Sequence, residues 1–329
     1  MTSAKPTVSV VVPNYNYASF LDERLESILG QTMRDHEIIF LDDASTDESV
    51  AIAKERFGRR IQLIEVNPVS SGSPFVQWNR GVQLAKGEFV WIAEADDLCT
   101  PDFLECLLEA VSRAPTIGLA YCRTVPIDST GAIIDADAYY RYVSDLDGSR
   151  WMRDFTAHGR TEVMNYMGRK NTIVNVSGVL FRREAYVGAG YAPENLSMCG
   201  DWLTYCRILH NWDVAYVSAA LDFHRQHPSK QTQKSVLNLT YFSEFLHVQA
   251  YVAQAFSLSG RDRRAAFRRF LGEWDRLTVS NYGRIGLAGT LKLARLAAQA
   301  CPAPTRYPEI AAHLVINASR SLTGKCRTS

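Results

Sequence analysis

Short apolar runs alternate with amphipathic stretches through the first third of the chain. Val8-Ser9-Val10-Val11-Val12 is β-branched and ends at Pro13, which predicts a buried strand. Glu37–Leu41, Ile61–Val66 and Phe89–Ala93 are further runs of strand length. Between the first two, Leu21, Leu25, Ile28 and Leu29 recur at helical spacing. Ser19 is the expected N-cap of that helix, with Asp22 three residues on, and Gly30 its stop. Val50, Ile52, Ala53 and Phe57 predict a second helix, and Trp78, Val82 and Leu84 a third. Leu104, Leu107, Leu108 and Val111 predict a fourth, opened by Thr100 with Pro101 at its first position. Strand and helix in alternation imply a parallel sheet with right-handed crossovers.

Beyond that the pattern loosens. Leu119–Val125 and Val176–Phe181 are strand-like, and the polar, aromatic stretch 135–170 between them is expected to be a loop-like, substrate-facing lid. A short helix from Asp201 to His210 and strands at Val214–Val217 and Leu221–His224 follow. From about Ser235 the chain is expected to be all helix. We therefore expect an α/β body over 1–233 and a helical extension over 234–329.

Charged side chains gather where these strands end. Glu94, Asp96 and Asp97 follow the Phe89–Ala93 run directly, and Asp42-Asp43 follow Glu37–Leu41. In open α/β sheets the C-terminal strand edge is where ligands bind. Crowded carboxylates repel one another unless a cation or donor joins them, and hard Mg²⁺ or Mn²⁺ ions bridge carboxylate to phosphate. A solvated acidic turn capping the next helix explains the same residues. An aromatic face at Tyr15 with a carboxylate at the neighbouring strand end suits a nucleobase, which stacks and donates an imino N–H. Helix capping is the competing reading of Asp42-Asp43. A metal at Asp97 would neutralise a leaving diphosphate. Asp201, opening a helix in Cys199-Gly200-Asp201-Trp202, is the candidate base for an acceptor hydroxyl, with capping again the alternative.

In combination these motifs resemble the inverting family 2 glycosyltransferases of the GT-A fold. The matching segments are Val8–Asn16, Asp42-Asp43-Ala44-Ser45-Thr46-Asp47, Asn79-Arg80-Gly81 before Ala85-Lys86-Gly87-Glu88, and Glu94-Ala95-Asp96-Asp97 with Pro101-Asp102. Ser71–Asn79 with Trp91–Glu94 resembles a bacterial subgroup that makes surface polysaccharides. The resemblance implies a Rossmann-like, mostly parallel sheet flanked by helices, with a nucleotide-sugar half (1–100) and an acceptor half (101–233). It implies that Pro13, Tyr15 and Asp43 hold the base, that Asp96 meets the ribose or sugar, and that Asp97 binds Mn²⁺ or Mg²⁺. Asn79 and Glu94 join the donor-binding set, Glu94 standing where the family often has Asp. Asp201 is the implied base, although Gly200 replaces the Glu that commonly precedes it. His224-Arg225-Gln226-His227-Pro228-Ser229 resembles a motif near the diphosphate. It puts Arg225 or His227 on phosphate, and His227 in the metal shell. The implied reaction moves a sugar from a nucleoside-diphosphate sugar, a UDP-sugar first, to a glycan or lipid-linked acceptor. A sugar-1-phosphate nucleotidyltransferase and a non-catalytic nucleotide-sugar-binding protein are the alternatives. The first should carry a Gly-rich loop after the first strand, where Pro13-Asn14-Tyr15-Asn16 stands; a dehydrogenase should carry GxGxxG.

Composition changes this picture in one place. The net charge of +1 gives no argument for nucleic acid. From Lys234 onward, however, 14 Lys and Arg face 5 Asp and Glu, leaving 22 against 30 before it. Arg261, Arg263, Arg264, Arg268 and Arg269 interleave with Phe267, Phe270 and Leu271, and Leu287, Leu291, Leu293 and Leu296 surround Lys292 and Arg295. Such helices suit a peripheral membrane interface, or packing on the body or on a second subunit in a homodimer. Seven scattered cysteines without a CxxC pair point to reduced thiols. With no signal-peptide or spanning pattern either, the expected address is the cytoplasm and the inner face of the membrane.

Overall fold

The computed structural model describes residues 5–227 and 239–300. These form two compact units: 5–162, 172–195 and 200–227 in the first, and 163–171, 196–199 and 239–300 in the second.

The first unit is built on a nine-stranded sheet. Its opening half is β1 (Val8–Asn14), α1 (Ala18–Leu29), β2 (His36–Asp42), a single turn α2 (Ser49–Ala51), β3 (Leu63–Val66), α3 (Pro74–Leu84) and β4 (Phe89–Ile92). The strands lie parallel in the order β3-β2-β1-β4. Every residue of β1 is buried, because helices cover both faces; this is why the sequence shows a continuous apolar run instead of alternation. Gly81 lets α3 approach β1, since a Cβ there would lie 2.2 Å from Val11 Cγ1. Register pairs Asn14 with Asp42, so β1 and β2 end side by side, and pairs Val11 with Ile92, so β4 ends three residues short of them at the same edge.

The second half adds β5 (Leu98–Cys99), α4 (Phe103–Ser112), β6 (Ile117–Ile127), α5 (Ala138–Val143), β7 (Phe155–Ala157), α6 (Gly159–Glu162), β8 (Val179–Arg182), α7 (Arg183–Gly188), α8 (Gly200–Ile208) and β9 (Asp213–Arg225). Here β8 runs antiparallel between β4 and β6, and β6 pairs β9 in parallel. The strands expected at 214–217 and 221–224 are one strand. Its register slips where Cys122 pairs Val217 and Arg123 pairs Ala220, so a bulge mimics a break in the pattern.

Three local expectations are corrected. Helix α1 starts at Ala18 without a side-chain cap of its own. The Ala18 N–H instead donates to Asp47 Oδ2 at 2.9 Å, a carboxylate delivered from the β2–α2 loop to a helix N-terminus. Helix α4 starts at Phe103, because Thr100 is held at the sheet edge, its N–H donating to Leu221 O. Residues 135–170 are not a loop-like lid. Tyr139, Val143 and Trp151 are buried, the Trp151 indole N–H donates to Tyr121 Oη at 2.8 Å, and Tyr121, Tyr139 and Phe155 gather on the Tyr216 ring.

The second unit is carried by α9 (Thr240–Ala255) and α10 (Gly260–Ala300). Phe242 and Phe245 pack on Phe270, and Phe267, Leu271 and Trp274 are buried beside it. The apolar face of the arginine-rich segment is thus used inside this unit, while Arg261, Arg264 and Arg268 stay exposed. Leu293 is buried and Leu291 is exposed; the Leu287 side chain and residues 301–329 lie outside the described residues. Among the described residues no helix is long and apolar enough to cross a membrane.

Candidate active site

The site forms where β1, β2 and β4 end. At the end of β2, Asp42 is structural: it accepts from Asn14 Nδ2 at 2.7 Å and from the Ser45 N–H at 2.8 Å. Its neighbour Asp43 points elsewhere and collects donors. Asn67 Nδ2 (2.7 Å), Ser70 Oγ (2.8 Å), the Ser71 N–H (2.9 Å) and Oγ (3.0 Å), and Gln77 Nε2 (2.6 Å) all donate to it. Burial raises its pKa, but the donated hydrogen bonds outweigh burial and hold the carboxyl below the usual carboxylate value. Pro13 is buried in β1, and Tyr15 is half exposed just past it. Asn16 and Ala44 adopt left-handed backbone at φ 59° and 64° in the loops flanking this pocket. Asn tolerates that region; Ala at a left-handed position carries about 1–2 kcal/mol of strain.

The turn after β4 holds the remaining carboxylates. Glu94 Oε1 accepts from the Trp78 indole at 2.6 Å. Burial, then the charge of Asp96, pushes its pKa to about 8. Asp96 Oδ2 lies 3.0 Å from His227 Nε2, and the Tyr17 and Phe20 rings flank that imidazole at 5.6 and 5.3 Å. Burial and the charges of Asp96, Glu94 and Asp97 push the Tyr17 phenol upward as well. Asp97 is 1% exposed. Its Oδ2 accepts from Asn175 Nδ2 at 2.8 Å and Ser177 Oγ at 2.7 Å, and its Oδ1 from the Arg225 N–H at 3.0 Å. Behind it, Asp222 takes Thr124 Oγ1 and Asn175 Nδ2; burial and then the Asp97 charge raise it to about 7.

Two residues expected to touch the donor are held in the framework. Arg225 is 1% exposed, with its guanidinium spread over three elements. Nε donates to Asp96 O at 2.8 Å, NH1 to Asp128 O and Ser129 O, and NH2 to Glu23 Oε2 at 2.8 Å, above the Phe20 ring. Asn79 fills its side-chain capacity on the turn after α7. It donates to Ala192 O and Glu194 Oε1 and accepts from the Ala192 N–H and Tyr186 Oη.

Asp201 stands partly exposed in the first turn of α8. Gly200 abuts Phe75, where a Cβ would lie 2.6 Å from the ring. Phe75 packs edge-on against Trp78 at 4.8 Å, and Trp78 bonds Glu94. One run of contacts therefore links the start of α8 to the acidic turn. It also explains the missing Glu before Asp201: there is no room for a side chain.

Sequence reasoning missed Asn67, Gln77, Asn175, Ser177, Asp222, Tyr17 and Arg24. Gln77 stood inside the Ser71–Asn79 segment without a role, and Arg24 left a signal of its own, a charge on the apolar stripe Leu21-Leu25-Ile28 of α1. It is fully buried, with its guanidinium 4.9 Å above the Trp91 ring. Among the described residues no group of three or more His, Cys, Asp or Glu side chains is arranged to hold a metal ion. Asp96 and His227 form a pair of suitable oxygen and nitrogen donors, and a Mg²⁺- or Mn²⁺-type site completed by phosphate and water needs no more from the protein.

Comparison with known proteins bears on the family and the fold. The model for glycosyl transferase family 2 matches residues 9–187. An uncharacterised glycosyltransferase of Nostoc sp. is 33% identical over 180 residues, 54% of this chain and 51% of that one. Chondroitin synthase of Escherichia coli is 30% identical over 131 residues, 39% of this chain and 19% of the synthase. The chain thus spans about half or less of these relatives. Among solved structures, S. aureus TarS 1–349 superposes with a TM-score of 0.68 at 17% identity, covering 98% of this chain and 91% of that one. A TarS complex with UDP-GlcNAc gives 0.66. The fold is therefore GT-A-like, and the chain belongs to glycosyl transferase family 2.

Proposed function

We propose that this enzyme transfers a sugar from a UDP-sugar to a hydroxyl of a glycan or lipid-linked saccharide, with inversion. The observation that carries the reading is the meeting of Asp96 and His227 at the end of β4, in a sheet that presents Asp43 two strands away at the end of β2. Asp43 is an acceptor ringed by donors. Accepting the uracil N–H there requires one of these donors to give way to the base. Tyr15 offers the stacking face and Pro13 the floor. The TarS structure with UDP-GlcNAc and a Pyrobaculum mannosyltransferase structure with GDP-Man and Mn²⁺ (TM-score 0.52) support a nucleoside-diphosphate donor.

The cation falls to Asp96 and His227. Asp97, the ligand that the family resemblance implies, accepts three hydrogen bonds that hold the turn, one of them on Oδ1. When bound, Mn²⁺ or Mg²⁺ neutralises negative charge on the diphosphate. Asp201 takes the proton of the acceptor hydroxyl as its oxygen bonds to the anomeric carbon; the bond from that carbon to the β-phosphate oxygen breaks, and its electron pair leaves with UDP. One base and one displacement invert the anomeric centre. Glu94 and Trp78 wall the sugar side. The exposed Arg261, Arg264 and Arg268 suit electrostatic contact with an anionic membrane bearing a lipid-linked acceptor.

The test is a panel of nucleotide sugars with Mn²⁺, scored as nucleotide release, on wild type and Asp201→Asn. The variant should keep UDP affinity and lose turnover. Wild-type turnover in excess chelator would remove the metal, and equal loss of affinity and rate in Asp201→Asn would make Asp201 a structural cap.

A further inference from the structure

We propose that Glu244 is a positioning residue for the base, its carboxylate fixing the segment that sets where Asp201 stands. The inference rests on the assignment of Asp201 above. Glu244 lies in α9, outside the residues matched by the family, and is 6% exposed. Its Oε1 accepts the Ser197 N–H at 2.7 Å, and its Oε2 accepts the N–H groups of Met198 and Cys199, each at 2.8 Å. Three consecutive peptide N–H groups converging on one anion form a concavity of the kind that binds phosphate; here the anion is supplied by the chain. Leu196–Cys199 belongs to the same compact unit as Glu244.

The next peptide is Gly200, and the one after it Asp201. Gly200 opens α8 against the Phe75 ring, its carbonyl accepting from Thr204 Oγ1 at 2.6 Å, so what Glu244 fixes is the entry into that helix. Upstream, Asn79 pins Ala192 and Glu194. The run into α8 is thus held at one end by Asn79 and, directly before the glycine, by Glu244. A base must stand within hydrogen-bond reach of the proton it takes, and a misplacement of about 1 Å costs on the order of 10²-fold in rate. A carboxylate suits the task where a neutral side chain does not. It has acceptors only, enough for all three N–H groups, and its bonds to them are charge-assisted.

Glu244→Gln keeps the shape but turns an amide N–H₂ toward peptide N–H groups; Glu244→Asp keeps the charge on a shorter arm. Both are compared with wild type by hydrogen exchange, by calorimetry with UDP and Mn²⁺, and by kcat and KM on the UDP-sugar that wild type turns over fastest. In Glu244→Gln the Ser197–Cys199 amides should exchange at least about tenfold faster. Its kcat should fall about 10- to 100-fold, with KM and UDP affinity within about twofold. Glu244→Asp should lie between. Loosened amides at wild-type kcat overturn the proposal. So does a fall in kcat matched by equal loss of UDP affinity, the mark of general unfolding. Asp201→Asn is measured alongside: wild-type turnover there overturns the base assignment and this inference together, whereas a slow Asp201→Asn beside a fast Glu244→Gln overturns this inference alone.

Discussion

Arg225 separates two accounts of this site. As a phosphate ligand it would face solvent and substrate; as found, it ties the acidic turn to α1 and to the turn at 128–131. Arg225→Met removes the charge but keeps much of the apolar stem. The Asp96 carbonyl then loses a 2.8 Å donor, and the Asp128 and Ser129 carbonyls lose donors at 3.3 and 3.1 Å. Hydrogen bonds from a charged donor contribute about 1.5–3 kcal/mol each, and the two longer ones belong at the low end or below it. Glu23 is 58% exposed, so its ion pair adds only about 0–1 kcal/mol. Water reaching the turn at 128–131 recovers part of the loss. We expect about 3–5 kcal/mol of destabilisation, a large share of ordinary domain stability. Arg225→Lys keeps the charge without the fork and should lose about half as much. Urea unfolding followed by tryptophan fluorescence measures both, with UDP titrations on the folded variants. A loss under about 1 kcal/mol in Arg225→Met, together with tenfold weaker UDP binding, would restore the phosphate role and refute the clamp.

The Asp43 carboxylate carries a pH signature. Because the folded Asp43 carboxyl sits below its unfolded value near 3.8, its contribution is complete above that value. It is lost as pH falls through the lower folded value. Urea midpoints between pH 2.5 and 6 should therefore fall less steeply in Asp43→Asn than in wild type; parallel curves would contradict the depressed pKa. Gly200→Glu, which restores the commoner family motif, should destabilise by at least about 1–3 kcal/mol against Phe75, and Phe75→Ala should relieve part of that in a double-mutant cycle. Additivity would show that the ring is not the obstacle. Vesicles containing anionic lipid should sediment the protein at low salt and release it at high salt, and a variant with Arg261, Arg264 and Arg268 changed to Gln should stay in solution. Salt-independent binding would point to insertion of apolar side chains instead.

The sequence was legible where one physical signal dominated. The strands of the parallel half showed as apolar runs because both faces of the sheet are covered, and the carboxylates after β2 and β4 stood out as clustered charges directly after such runs. It was illegible where a side chain's role depends on what lies across the fold. Asn79 sits in a motif-like segment, yet its four hydrogen bonds go to Tyr186, Ala192 and Glu194, more than a hundred residues on. Ser177 and Asn175 are small polar residues beside an apolar strand, with no pattern to mark them as the partners of Asp97. The aromatic residues at 139–155 suggested exposure by their polar company, although Tyr139 and Trp151 spend their polar atoms on Thr172 and Tyr121 and bury the rest.

The departures from the family pattern turn out to be linked. Glu94, longer than the usual Asp, reaches the Trp78 indole. Trp78 in turn packs on Phe75, and Phe75 occupies the space that a side chain at position 200 would need. An Asp at 94 would draw the carboxylate about 1.5 Å back along the chain, one C–C bond, and free Trp78. A smaller aromatic platform at 75 and 78 would in turn admit a side chain before Asp201. Glu94 and Gly200 are therefore a matched pair, and each should tolerate reversion better when the other, and the ring between them, is changed with it.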